Sequence, residues 1–176
     1  MFFLGYEFKD EKLLEEALTV PSYKVLHPGA KDNQRLEYLG DAVLGLIAAE
    51  MLYFQCQSDR EGALTVHRSQ LVSTVALCEA AERVGLAKSL RWNTSAGPIP
   101  VHSKTVADAV EAVLAAAYLD GGLAAAREVF KALGLSAKHI ADEWGGNPKG
   151  ALQIKAHGMK PPQMPVYETI SVTGKA

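Results

Sequence analysis

Apolar positions recur with a helical period along most of this chain. Behind Asp10, a side chain suited to cap a helix start, residues Glu11–Leu18 place Leu13, Leu14 and Leu18 on one stripe. Pro21 and the Pro28-Gly29 pair then mark a loop. A long helix is expected from about Asp32 to Gln55, and a helix or helix pair from Glu61 to about Val84. In that second stretch Leu64, Leu71, Val75 and Leu77 are available to a core, and Gly85 follows as a C-cap. A loop through Asn93–Pro98 leads to a helix over Ser103–Leu119, stopped by Asp120-Gly121-Gly122. Helices over Leu123–Leu133 and Ser136–Trp144 complete an all-α domain over residues 1–145. Composition changes at Gly145-Gly146-Asn147-Pro148, which reads as a hinge to a separate segment, 146–176.

Two of these helices interrupt their apolar pattern with acids. In Asn33-Gln34-Arg35-Leu36-Glu37-Tyr38-Leu39-Gly40-Asp41-Ala42-Val43-Leu44, the carboxylates Glu37 and Asp41 stand four apart, one turn apart on one face. The run continues Gly45-Leu46-Ile47-Ala48-Ala49, so this helix has little polar surface and is expected to be buried. Val106–Ala117 repeats the anomaly with Asp108 and Glu111 three apart. The plainer reading of any acidic pair is a solvated face, since Asp and Glu are mostly exposed. It fits poorly where the neighbouring turns carry Leu, Val, Ile and Ala.

A buried salt bridge is the stronger alternative, with Arg35 and Lys104 the nearest cations in sequence, but two bases cannot fully neutralise four acids. The simplest account is one oxygen-lined metal site shared by the two helices. Oxygen-only ligands suit a hard cation, Mg²⁺ or Mn²⁺, and Mg²⁺ commonly bridges to phosphate. A di-iron bundle needs Glu-x-x-His pairs, and none of His27, His67, His102, His139 and His157 has that spacing to a glutamate.

The segment Asn33–Leu44 resembles the signature stretch of the ribonuclease III family, Asn-Glu-Arg-Leu-Glu-Phe-Leu-Gly-Asp-Ala-Val-Leu. Lys104–Ala112, with Tyr118-Leu119-Asp120-Gly121-Gly122 after it, is similar to the family's second acidic helix. Glu61-Gly62-Ala63-Leu64, leading to Arg68–Ser73, resembles the helix between. The likeness covers about residues 1–145 in order. It implies an all-α ribonuclease III-type endonuclease domain acting as a homodimer, in which each subunit cuts one strand of double-stranded RNA with Mg²⁺ and leaves 5′-phosphate and 3′-hydroxyl ends. Carried over position by position, it makes Glu37, Asp41, Asp108 and Glu111 the catalytic and metal-binding acids. It gives Glu61 an outer-shell or second-metal role and makes Arg35 and Lys104 RNA contacts. Gln34 departs from the signature, which usually has glutamate there; with all four acids kept, activity is expected to survive.

The segment Pro148–Gln153 resembles the opening of a double-stranded-RNA-binding domain, with Pro165–Val172 as its first strand and Gln153 as an RNA contact. Only the first part of such an α/β domain is present, and Ile154 stands where a polar residue is usual. A helix and strand that bind nothing is an equally good reading of this tail.

Charge qualifies the picture. A formal net charge of −2 is unusual for a nucleic-acid binder, since such domains are often basic. Discounting the four acids, as bound metal partly would, takes it to about +2, and Lys31, Arg35, Arg68 and Lys104 lie near the proposed chemistry. Cys56 and Cys78 read as small core residues without Cys-x-x-Cys spacing, which fits a reducing, cytoplasmic setting. The apolar run from Ala42 to Leu52 is too short to span a membrane and contains Glu50, so no membrane segment is expected. The N-terminus lacks the basic start of a secretory signal. Two other readings stay open: a non-catalytic scaffold of the same fold that binds structured RNA, and an all-α metal-dependent nucleotide hydrolase.

Overall fold

The computed structural model describes residues 1–136, and these fold as helices around one central pair. A two-strand hairpin comes first, β1 (Phe2–Phe3) and β2 (Tyr6–Glu7), joined through Leu4 and Gly5, both at positive φ. Helix α1 (Glu11–Ala17) follows, and Asp10 caps it by accepting a hydrogen bond from the Lys12 N–H at 3.0 Å. A 3₁₀ stretch over Pro21–Val25 leads into α2 (Gln34–Gln55). The expected helix pair is indeed two: α3 (Glu61–Leu71) and α4 (Thr74–Arg83), separated at Ser73, whose hydroxyl accepts from the Ala76 N–H. Gly85 takes the left-handed conformation directly after α4, where a C-terminal glycine is expected.

The last element differs from the expectation. The stop at Asp120-Gly121-Gly122 is a kink, and α5 runs from Lys104 to Ala132 with only Gly122 (φ 72°, ψ −169°) outside helical geometry. Asp120 explains why the chain stays continuous there: its carboxylate accepts from Tyr6 Oη (2.8 Å), Lys9 N (2.9 Å) and Asp10 N (2.8 Å), which pins the kink to the hairpin and to the start of α1. Gly121 leaves the space for that reach, since a Cβ there would stand 2.3 Å from the Tyr6 hydroxyl. The Ser136–Trp144 helix, the hinge, the segment 146–176 and Gln153 lie outside the described residues.

Helices α2 and α5 form the central pair, with α1 and α4 against α5 and α3 against α2. Every residue from Ala112 to Ala117 is buried, and the alanines among them let neighbouring elements approach closely. At 29 residues α5 is long and apolar enough to cross a membrane by length and composition, which corrects the expectation that no segment qualifies; here it is the core helix. The expectation that α2 is buried holds for only one side. Leu36, Val43, Leu44, Ile47, Ala48 and Leu52 face the core, whereas Tyr38 (85% exposed), Leu46 (55%), Tyr53 (67%) and Phe54 (63%) face outward.

The start of α2 is fixed from within. Asn33 is buried and donates from Nδ2 to the Ala17 carbonyl (3.3 Å), and its N–H donates to the Thr19 carbonyl (2.9 Å). Arg91 ties the same region from the other side, pairing with Glu15 and lying over the Tyr23 ring, 4.5 Å from its centroid. Asn33 therefore ties the start of α2, just before the turn that carries Glu37, to the end of α1.

Candidate metal centre

Glu37 sits in the first turn of α2, and Asp108 and Glu111 sit in the first two turns of α5. Where the two helices meet, one carboxylate oxygen from each of the three lies within 4.8 Å of the others. Gly40 sets that approach. A side chain at this position would place its Cβ 1.9 Å from the Glu111 carbonyl oxygen, so only glycine lets α2 rest on the α5 backbone at the level of the acids. A mid-helix glycine costs about 1 kcal/mol relative to alanine, and here the close contact gives that cost a purpose. Asp41, one residue on, is exposed and near enough for its charge to act on Glu111.

Lys104, at the start of α5, donates from Nζ to Asp108 Oδ1 (2.7 Å) and Glu37 Oε1 (3.1 Å). Those two bonds hold its ammonium charged to well above the usual lysine range. Of the buried salt bridge considered from sequence only an exposed half is present: Lys104 pairs with Glu37 and Asp108 while its own side chain is 74% exposed, and one lysine faces four acids. The remaining charge shows in Glu111. Burial, then the charges of Asp41, Asp108 and Glu37, push its carboxyl up to about 7 from an ordinary 4.5. Asp108 is raised as well, since burial outweighs the bond from Lys104. A group of oxygen donors pushed toward protonation by burial and by one another is short of positive charge. A hard divalent cation supplies it with the preferred ligand type, so the residues present fit Mg²⁺ or Mn²⁺.

Glu61 is exposed at the start of α3, with Oε1 accepting from Thr65 Oγ1 (3.1 Å). Cys56, at the end of α2, is about 28 Å along the helix from Glu37. The five residues onward to Glu61 can recover at most about 18 Å of that, and Glu61 is not one of the three acids whose oxygens meet between α2 and α5. Arg35 is exposed on the first turn of α2. Gln34, the departure from the signature, is exposed beside it, and its N–H donates to Asp32. Lys104, read from sequence as an RNA contact, is bonded to the acids themselves. Gly40 was missed from sequence as part of the site, although it lies inside the signature; a glycine amid good helix formers was its one signal.

The Ribonuclease-III-like family model matches residues 10–137. Ribonuclease 3 of Symbiobacterium thermophilum is 46% identical over 74% of this chain and 57% of its own length. Ribonuclease 3 of Phenylobacterium zucineum is 38% identical over 97% of this chain and 73% of its own length. The chain thus spans a little over half of the first relative and about three quarters of the second. The nuclease domain of ribonuclease III from Campylobacter jejuni superposes with a TM-score of 0.65 at 32% identity, over 74% of this chain and 90% of that one. Fold and sequence together define a ribonuclease III-type nuclease domain. This chain belongs to the ribonuclease III family.

Proposed function

We propose that this chain is a Mg²⁺-dependent endoribonuclease that cuts double-stranded RNA to 5′-phosphate and 3′-hydroxyl ends, with Glu37, Asp41, Asp108 and Glu111 as its catalytic acids. The observation that carries the reading is the meeting of Glu37, Asp108 and Glu111 across the α2–α5 contact, with Asp41 alongside. When bound, the metal supplies a water of lowered pKa and neutralises charge building on the phosphate and leaving oxygen. The chain's part is to hold and orient. Glu37 and Asp41 present carboxylates from consecutive turns of α2, and Asp108 and Glu111 do so from α5. Lys104 fixes the orientation of Glu37 and Asp108 through its two bonds and keeps a positive charge beside these acids.

The working unit is a homodimer. Tyr38, Ala42, Leu46 and Tyr53 fall along the outward face of α2, an apolar stripe of the kind that marks an interface. The Campylobacter jejuni structure is itself described in terms of a region involved in dimer formation. A non-catalytic scaffold has no use for the acids, because crowded carboxylates destabilise a fold that does not compensate them.

Incubation with long duplex RNA and Mg²⁺ tests the proposal, with single-stranded RNA and EDTA as controls. Duplex cleavage that stops with EDTA is expected. Cleavage of the single strand alone, or cleavage indifferent to EDTA, overturns it.

A further inference from the structure

The far end of α2 carries a second constellation with different chemistry. Cys56 ends the helix, its N–H still donating to the Leu52 carbonyl while its backbone turns out of helical geometry (φ −110°, ψ 53°). The Cys56 carbonyl accepts from the Asp59 N–H at 3.0 Å, and this tight turn swings Asp59 back toward the helix end. α3 then begins at Glu61 and brings His67 round on its second turn. The Cys56 thiol sulfur, an Asp59 carboxylate oxygen and a His67 ring nitrogen all lie within 4.8 Å of one another.

His67 is the telling member. Its Nδ1 is sunk from solvent and makes no hydrogen bond, although Asp59 Oδ2 is only 3.3 Å away. A ring nitrogen sunk from solvent beside a carboxylate, yet not aligned on it for a hydrogen bond, calls for a reason. An ordinary His–Asp ion pair would align an N–H on the carboxylate, which this geometry does not. A shared metal does not need that alignment. Zn²⁺ bond lengths of about 2.0–2.1 Å to nitrogen and oxygen put adjacent tetrahedral ligands about 3.3 Å apart, and a thiolate about 3.6 Å from either. The His67–Asp59 spacing already equals one edge of that tetrahedron.

We propose that Cys56, Asp59 and His67 form a Zn²⁺ site that fastens the α2–α3 turn. The mixed sulfur, nitrogen and oxygen donors suit Zn²⁺ and disfavour Mg²⁺, which separates this site from the all-oxygen acids near the other end of α2. Three protein ligands leave a fourth position for water, and His67 and Asp59 each keep part of their surface open, which gives the ion a way in. Because the thiol must lose its proton and the imidazole must be neutral, occupancy falls as the solution is acidified.

The test uses reduced protein freed of metal by a chelator and titrated with Co²⁺, then with Zn²⁺. Co²⁺ bound to a thiolate gives intense near-ultraviolet absorption that carboxylates do not produce, so the signal reports Cys56 and not the acids. Expected are about one equivalent of thiolate-bound Co²⁺, its displacement by Zn²⁺, and a rise in melting temperature with Zn²⁺. Cys56→Ser should abolish the absorption. His67→Gln should weaken Zn²⁺ binding by at least the roughly ten- to hundredfold seen when even an outer-shell partner is lost. Glu111→Gln should leave the absorption unchanged. Absence of the thiolate band in the wild-type protein overturns the proposal, and so does equal Zn²⁺ affinity in His67→Gln.

Discussion

Gly40 of α2 rests directly on the backbone of Glu111 in α5, so close that a Cβ at Gly40 would lie 1.9 Å from the Glu111 carbonyl oxygen. The contact joins fold and chemistry, because it brings the acids of α2 to those of α5. Gly40→Ala must push apart two backbones that no rotamer change can relieve. Overpacking of this kind costs about 1–3 kcal/mol and occasionally more. At about 2–4 °C per kcal/mol for a chain of this size, melting should fall by roughly 6–12 °C if the cost is at the upper end. Gly62→Ala, on α3 with open space at its Cβ, is the control and should stabilise by about 0.5–1 kcal/mol. Equal melting temperatures for Gly40→Ala and wild type would remove the close approach from the account.

Glu111 makes metal-free stability depend on pH in an unusual direction. Its folded-state pKa of about 7 lies above the ordinary 4.5, so the folded protein holds a proton that the unfolded chain has released. The group is neutral in both states below pH 4.5. Its penalty grows as pH rises from 4.5 to about 7 and is constant above that. In EDTA, wild type should therefore lose stability relative to Glu111→Gln across this window, as read by denaturant unfolding at several pH values. A difference that is flat with pH, or widens on acidification, would show that burial and the neighbouring acids do not raise the Glu111 carboxyl.

Lys104 is bonded to two of the acids that a cation would use, and its positive charge opposes one arriving there. Lys104→Gln should lower the Mg²⁺ concentration that half-saturates the protein, as measured by calorimetric titration. The change should be larger at low ionic strength, where charges at the surface are least screened. A higher midpoint in the variant would mean that Lys104 organises the carboxylates more than it repels the ion.

Much of this was legible in the sequence, and what was not has identifiable causes. The 3.6-residue period gave α1 and α2 close to their observed ends, and the Asp10 cap was read correctly. The acid pairs stood out because they broke apolar runs on α2 and α5. The hairpin was missed because its turn uses Leu4 at positive φ, where Asn or Gly is the usual signal. Gly121-Gly122 read as a helix stop because local propensity favours one; the three hydrogen bonds that Asp120 accepts from the chain's first ten residues are long-range and leave no local trace. The outward face of α2 was invisible for a similar reason. An apolar residue that meets a partner looks the same in sequence as one that meets the core.

The Asp120 latch is testable by itself. Its three hydrogen bonds hold the carboxyl below the ordinary aspartate range despite some burial, so it stabilises the fold above the unfolded pKa and loses that effect as pH falls through the folded one. Asp120→Asn should cost about 1–2 kcal/mol near neutral pH. The gap between variant and wild type should narrow below about pH 4. A gap that persists unchanged into acid would assign the loss to something other than the carboxylate charge.

The central claim is that Glu37, Asp41, Asp108 and Glu111 act as one cation site that cuts duplex RNA. The most direct measurement is single-turnover cleavage of a duplex in Mg²⁺ by Glu111→Gln, with duplex binding followed in parallel by gel shift. Gln keeps the size and hydrogen bonding of Glu and removes one ligand charge. The barrier should rise by about 3–4 kcal/mol, roughly a hundred- to a thousandfold in rate, while duplex affinity stays near that of wild type. Cleavage by Glu111→Gln at close to the wild-type rate would contradict the account.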